Sequence, residues 1–280
     1  MTAISIRNLQ KSFPAFTLKN VSFDVQKGTI MGFIGENGAG KSTTIKCILN
    51  VLKKDSGLIK IFGYDHTKEE MQIKEEIGVV YDDLPFPETL TGSEIEKFMS
   101  RLYKNWDEPL FYQLLKQFKI NPAKKVKELS RGMKMKLSIA IALAHHPKLL
   151  ILDEPTSGLD PIVRDEILDL FLHFMEEEEH TILFSSHITS DLEKIADSIT
   201  FIHEGEIVFS ESKDVLLYEY AIWKGSQQEL KDLPEDAIVR MRQGIYGVEA
   251  LVRKNRIHSI FPTTRPTIEE LMVFLTKGDI

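Results

Sequence analysis

Hydrophobic and polar positions change period several times along the chain. "AISIRNLQKSF" and "LKNVSFDVQKGTIMGFIG" carry alternating and continuous runs rich in Ile, Val and Phe, which predict strands closed by a Lys27-Gly28 turn. Continuous apolar runs at Ile30–Ile34 and Leu149–Asp153 predict strands buried on both faces. Shorter runs predict strands at Ile59–Phe62, Ile77–Val80 and Thr181–Ser185, and a hairpin at Ile199–His203 with Glu206–Phe209. Helical spacing predicts helices over Lys41–Leu49 and Pro161–Met175. Strand and helix thus alternate, the pattern of an α/β domain with a largely parallel sheet.

Between Thr89 and Ala144 the strand signal stops, and "SEIEKFMSRLYKNW", "EPLFYQLLKQF" and "GMKMKLSIAIALA" repeat apolar residues at helical spacing. This predicts a helical insertion over about residues 89–144. The character changes again near Tyr220. "AIVRMRQGIYGVEALVRK" reads as two alternating segments about a Gly-Ile-Tyr-Gly turn, and "PTIEELMVFL" as a capped helix. Residues 216–280 are therefore expected to form a small α+β accessory domain after a main domain at 1–215.

Composition narrows the function classes. A chain of 280 residues with 42% apolar and 28% charged positions has material for a full core. No uninterrupted apolar run reaches the ~18 residues of a membrane span, so membrane contact is expected to come through a partner. "MTAISIRNLQKSF" lacks the charged start, apolar block and small-residue cleavage site of a secretory signal, which predicts a cytoplasmic location. A net charge of −7 argues against a general nucleic-acid binder. The single cysteine, Cys47, forms no internal disulfide and falls in a helical apolar pattern, as a buried core thiol would.

The chemistry concentrates in a few stretches. Gly35-Glu-Asn-Gly-Ala-Gly-Lys-Ser42 fits G-x-x-x-x-G-K-[ST] between a predicted strand and helix. Its glycines let backbone N–H groups turn inward around phosphates, the helix start adds partial positive charge, Lys41 reaches the β/γ oxygens and Ser42 offers a hydroxyl to Mg²⁺. Glu36, Asn37, Gly38, Ala39, Gly40 and Thr43 complete this cradle. "LLILDE" ends a strand in two acids: Asp153 can hold Mg²⁺, and Glu154 can align or deprotonate a water facing the γ-phosphate. Paired acids after a strand also serve as turn or cap residues, and the phosphate loop favours the catalytic reading.

Leu129-Ser-Arg-Gly-Met133, then "LDEPTSGLDP", then "SSHI" around His187 follow in order. With these the sequence resembles the nucleotide-binding ATPase subunit of an ABC transporter over residues 3–215. The resemblance implies a P-loop NTPase core with an antiparallel β subdomain and a helical subdomain. It further implies a head-to-tail dimer, either a homodimer or a heterodimer with a related ATPase, sandwiching two ATP. Ser130 and the Gly132 N–H would reach the partner's γ-phosphate, His187 would contact the γ-phosphate and hold water with Glu154, and Asp160 would couple the two sites. Phe13 matches the adenine-stacking aromatic, against which a core phenylalanine competes, with Phe16 close by.

The chain departs from the family pattern at three positions. Arg131 replaces a glycine of the signature, Met133 replaces glutamine, and Asp82, in "GVVYDDLPFP", stands where the family places Gln or Glu touching Mg²⁺ and starting the permease-sensing loop. An aspartate keeps an oxygen ligand but is shorter by one methylene. The overall pattern looks most like ATPases of ABC-2 type exporters from Gram-positive bacteria, including those for antimicrobial peptides. ATP and Mg²⁺ are the implied ligands, transmembrane permease subunits the implied partners, and the inner face of the cell membrane the implied location. A soluble translation ATPase would carry two cassettes, and a chromosome-maintenance ATPase a long coiled coil between its halves. The remaining alternative is a regulatory ATP-sensing subunit with weak or no turnover.

Overall fold

The computed structural model describes residues 1–244, 247–258 and 260–278. Strands β1 (Thr2–Phe13), β2 (Phe16–Gln26) and β3 (Ile30–Ile34) precede helix α1 (Lys41–Ile48), followed by β4 (Ser56–Ile61), β5 (Tyr64–Asp65), α2 (Glu70–Glu75) and β6 (Ile77–Val80). Helices α3 (Gly92–Met99), α4 (Glu108–Gln117) and α5 (Arg131–Leu143) fill the segment before β7 (Leu149–Asp153). Then come α6 (Pro161–Phe174), β8 (Thr181–Ser186), α7 (Thr189–Ile195), β9 (Ser198–His203), β10 (Glu206–Ser212) and α8 (Lys213–Glu219). The chain closes with β11 (Tyr220–Gly225), β12 (Ile238–Gly244), β13 (Gly247–Arg253), β14 (Thr263–Thr264) and α9 (Ile268–Lys277). The expected strand at Ile59–Phe62 starts earlier and stops at Ile61, because Phe62 takes a φ of 51° and turns the chain.

Three sheets result. β2-β1-β4-β5 is antiparallel. The central sheet runs β10-β9-β3-β8-β7-β6, parallel except for the edge strand β10. Strands β3, β7 and β8 are buried along their whole length, which is why they read as unbroken apolar runs. Side chains of a strand alternate between faces. Leu150 and Leu152 of β7 enter one core with Phe171 and Phe184, while Leu149 and Ile151 enter the other with Phe33 and Ile45 of the α1 side. That parity puts Asp153, the next odd position, on the face that carries α1.

The helical insertion has its own core around Ile95, Phe111, Leu115, Leu137 and Ile141. Its helices start at side-chain caps: Thr91 with Glu94 in a reciprocal capping box for α3, Asp107 for α4 and Ser130 for α5.

The C-terminal segment forms the sheet β12-β13-β11-β14. Ile222 and Leu251 pair across β11 and β13 and, with Ile268, Leu271 and Phe274 of α9, join the same apolar core as Leu152 and Phe184. The opposite face, with Ala221, Trp223, Ala250 and Val252, builds a smaller core. Thr267 and Glu270 cap α9 reciprocally, and Glu193 of α7 accepts the Ile268 N–H at 2.6 Å. The central residues of the expected Gly-Ile-Tyr-Gly turn, Ile245 and Tyr246, lie outside the described residues. No helix among the described residues is long and apolar enough to cross a membrane.

Candidate functional site

Parallel strands deliver their carboxyl ends to one edge of the sheet, where helix starts and loops can hold a ligand. β3 delivers the phosphate loop, β7 the acids Asp153 and Glu154, and the neighbouring β8 leads to His187. Gly40 has a φ of 116°, and a Cβ there would fall 2.6 Å from Leu18 Cδ2 and 2.9 Å from Phe16 Cζ. Only glycine fits that turn. Gly40 caps α1 without any side-chain oxygen, so the first N–H groups of the helix are left for a ligand in the loop. Lys41 is buried and donates from Nζ to Gly35 O at 2.7 Å and Glu36 O at 3.3 Å. Thr43 is half-buried on the first turn of the helix.

The acids meet the loop from the side. Ser42 Oγ donates to Asp153 Oδ1 at 3.1 Å, a hydroxyl and a carboxylate side by side. Burial pushes the Asp153 carboxyl above its ordinary range, opposed by the Ser42 hydrogen bond. Two adjacent hard oxygen donors at the mouth of a phosphate cradle suit a small divalent cation. Glu154 is a non-glycine residue at a φ of 56°, an uncommon conformation concentrated at functional sites. Its Oε1 lies 3.2 Å from Lys41 Nζ. Its Oε2 accepts the His187 N–H at 3.3 Å and lies 2.7 Å from His187 Nδ1. An ionised carboxylate only accepts, so Nδ1 carries the proton in this pair and Nε2 is left for another group. Lys41, Glu154 and His187 therefore form one continuous chain of contacts.

Beside the loop opens a cavity of about 570 Å³ lined by Phe13, Phe16, Asn37, Gly38, His203 and Glu204. Its size suits a small organic ligand. The two candidate aromatics differ: Phe13 is 41% exposed with Lys11 Nζ 5.7 Å from its ring centre, whereas Phe16 packs into the core beside Gly40. Phe13 is the ring with a free face. His203 and Glu204 went unnoticed in the sequence because they sit at the end of β9 and in the β9–β10 turn, 190 residues from Phe13 in the case of His203, with no local motif to mark them.

The signature is built differently. Ser130 caps α5 by accepting the Met133 N–H at 3.3 Å, and Gly132 sits close to α6, where a Cβ would lie 3.0 Å from Val163 Cγ1. Asp160 caps α6, its Oδ1 accepting from Ile162 and Val163 N–H at 3.1 Å each, a local role the sequence reading had not given it. Neither Ser130 nor Gly132 is hydrogen-bonded to the phosphate loop among the described residues. Asp82 was expected beside Ser42 and Asp153 as a metal ligand. Its Oδ1 accepts from Arg131 Nη2 at 2.6 Å, a charge-assisted hydrogen bond. No group of three His, Cys, Asp or Glu side chains able to hold a metal forms among the described residues.

Comparisons with known proteins agree with this architecture. Residues 18–157 match the ABC transporter family. The chain is 37% identical over 192 residues to an uncharacterized ABC transporter ATP-binding protein, YdbJ, of Bacillus subtilis, a match spanning 68% of this chain and 62% of that protein. It is 38% identical over 214 residues to the lantibiotic transport ATP-binding protein SrtF of Streptococcus pyogenes, spanning 75% of this chain and 91% of that one. A solved ATP-binding subunit of an ABC transporter superposes with a TM-score of 0.69 at 28% identity, covering 77% of this chain and 92% of its own. With a phosphate loop, an acid pair and a histidine converging on one sheet edge, the chain belongs to the ABC transporter family as an ATP-binding subunit that hydrolyses ATP.

Proposed function

We propose that the chain powers an exporter of antimicrobial peptides or related compounds, working as one of two ATPase subunits that clasp two ATP molecules head to tail beneath separate membrane-spanning subunits. The observation that carries the two-subunit arrangement is the division of the site. Lys41 and His187 both contact Glu154, whereas Ser130 and Gly132 stand on a helix start with no hydrogen bond to any of the three among the described residues. A helix start with a free face favours an anion, and a second copy's γ-phosphate would satisfy it. The transported class is supported by the likeness to a lantibiotic transport ATP-binding protein along most of that protein's length.

Within each half-site the residues take distinct parts. Lys41 and the loop N–H groups bind the β- and γ-phosphates, and Phe13 stacks on the base. Glu154 takes a proton from the attacking water, with His187 fixing the carboxylate and offering Nε2 to the γ-phosphate. Ser42 and Asp153 would hold Mg²⁺, which neutralises phosphate charge when bound. ATP binding closes the pair of subunits and hydrolysis releases it, giving the motor two states. The dimer partner is a second copy or a close relative.

Turnover of the purified chain with its membrane partner, measured beside Glu154→Gln, tests the motor reading. Turnover in the wild type that is lost in Glu154→Gln supports it. Equal inactivity of the two would leave only an ATP-sensing role. Peptide uptake into inverted vesicles, dependent on ATP and on Glu154, tests the export direction.

A further inference from the structure

Two of the three residues that depart from the family pattern meet in the folded chain. Arg131 and Asp82, 49 positions apart, form the 2.6 Å ion pair described above. The same guanidinium lies against Gly158 in the Ser157–Asp160 turn, where a Cβ would fall 2.9 Å from Arg131 Cζ and 3.0 Å from Nη1. Gly158 also has a φ of 65°, so both the turn and the guanidinium require glycine there. One helical turn further along α5, Lys134 Nζ donates to Glu88 Oε1 at 3.1 Å. The backbone adds two ties, from Val126 N–H to Leu90 O at 2.8 Å and from Lys127 N–H to Glu88 O at 3.1 Å.

We propose that Arg131 is a positioning residue: it locks the loop starting at Asp82, the signature and the Ser157–Asp160 turn into one unit. Ser130, Gly132 and Asp160 then meet the opposing subunit in a geometry set by the loop at Asp82. Arginine suits the task, since its planar fork binds a carboxylate at one edge while its flat face lies on backbone; lysine has no such face. The pairing also explains why two unusual residues occur together. Each alone would leave an unpartnered charge beside the nucleotide interface, and together they close on each other. This inference rests on the head-to-tail dimer proposed above.

The test titrates ATP-dependent dimerisation by analytical ultracentrifugation in a Glu154→Gln parent, and measures KM and kcat in the native background. Both partners are about half exposed, so the pair is worth little energetically, and Arg131→Gln or Asp82→Asn is expected to raise the ATP concentration for half-dimerisation only about threefold to fivefold. KM should rise with it while kcat at saturation changes less. Arg131→Lys should fall between Arg131→Gln and the parent. Arg131→Asp, which sets two acids together, should lose more, and the swap Asp82→Arg with Arg131→Asp should regain most of that loss. A simple helix-start defect would not be repaired by the swap. If the parent dimerises and Arg131→Gln and Asp82→Asn match it, or if the swap shows summed losses, the positioning role is overturned while the dimer stands. If the parent stays monomeric at saturating ATP, both proposals fall. Unchanged thermal unfolding of each variant keeps a folding defect from imitating either result.

Discussion

The two halves of the nucleotide machinery differ in how the fold holds them. The phosphate side is enclosed: the Lys41 side chain is 6% exposed and that of Glu154 14%, and both are fixed between strand ends. The signature side is open, with the Arg131 side chain 49% exposed and that of Asp82 46%. A buried charge must find partners within its own chain, because water cannot serve it. An exposed helix start can wait for a partner from outside. In the two-subunit arrangement proposed above, the enclosed half would perform chemistry that one chain can organise alone, and the open half recognition that needs a second subunit.

The largest break in this comparison should come from Glu154→Gln, which keeps the size of the side chain and removes its basicity. Turnover should fall about a thousandfold, within the range general-base removal gives, while ATP still binds. Phosphate-release kinetics and a fluorescent nucleotide titration read the two effects separately. On the open side, Ser130→Asp keeps the helix cap, since aspartate caps as well as serine, but sets a negative charge where a γ-phosphate is to dock. Turnover should drop about a hundredfold, the cost of turning one stabilising donor into a repulsive charge, with monomeric nucleotide binding unchanged. Equal losses of binding in both variants would erase the distinction between the halves.

Smaller effects sharpen it. Phe13→Ala should weaken nucleotide affinity about tenfold, near the value of one base stacked on an aromatic ring, with the melting temperature unchanged. Phe16→Ala should do the reverse, since that ring packs in the core. Thr267→Ala removes the cap of α9 and should cost ~1 kcal/mol in thermal unfolding with catalysis intact, because the C-terminal helix shares the core but holds no catalytic group. The smallest effect belongs to Cys47. Burial pushes its thiol up to about 11, so it should resist a thiol reagent at neutral pH and react only after denaturation.

Much of this was legible in the sequence, for reasons that particular residues make plain. The strand Leu149–Asp153 announces itself because both its faces are buried, and the cap Thr267 because capping is read over three residues. The phosphate loop and the acid pair were visible for the same reason. Glycines, a lysine and a hydroxyl must follow one another at fixed spacing to wrap a phosphate, and the acids must follow the end of a buried strand. What escaped were contacts between positions distant in sequence. His203 and Glu204 join the cavity at Phe13 because the β9–β10 turn lies over the phosphate loop, where Ala39 O accepts the Gly205 N–H at 3.1 Å. The C-terminal residues Ile222, Leu251 and Phe274 share the main core with Leu152 and Phe184, a contact between positions far apart in the chain.

Asp82 and Arg131 mark the boundary between the two kinds of knowledge. By itself the sequence determined the family, the strand and helix alternation, and which residue types make up the candidate phosphate loop, since these depend on periods and spacings that are short along the chain. Tertiary structure alone decided that Asp82 pairs with an arginine of the signature, and that the same arginine rests on Gly158. An ion pair forms wherever packing brings opposite charges within ~4 Å, and no local pattern encodes which loops the fold will lay side by side.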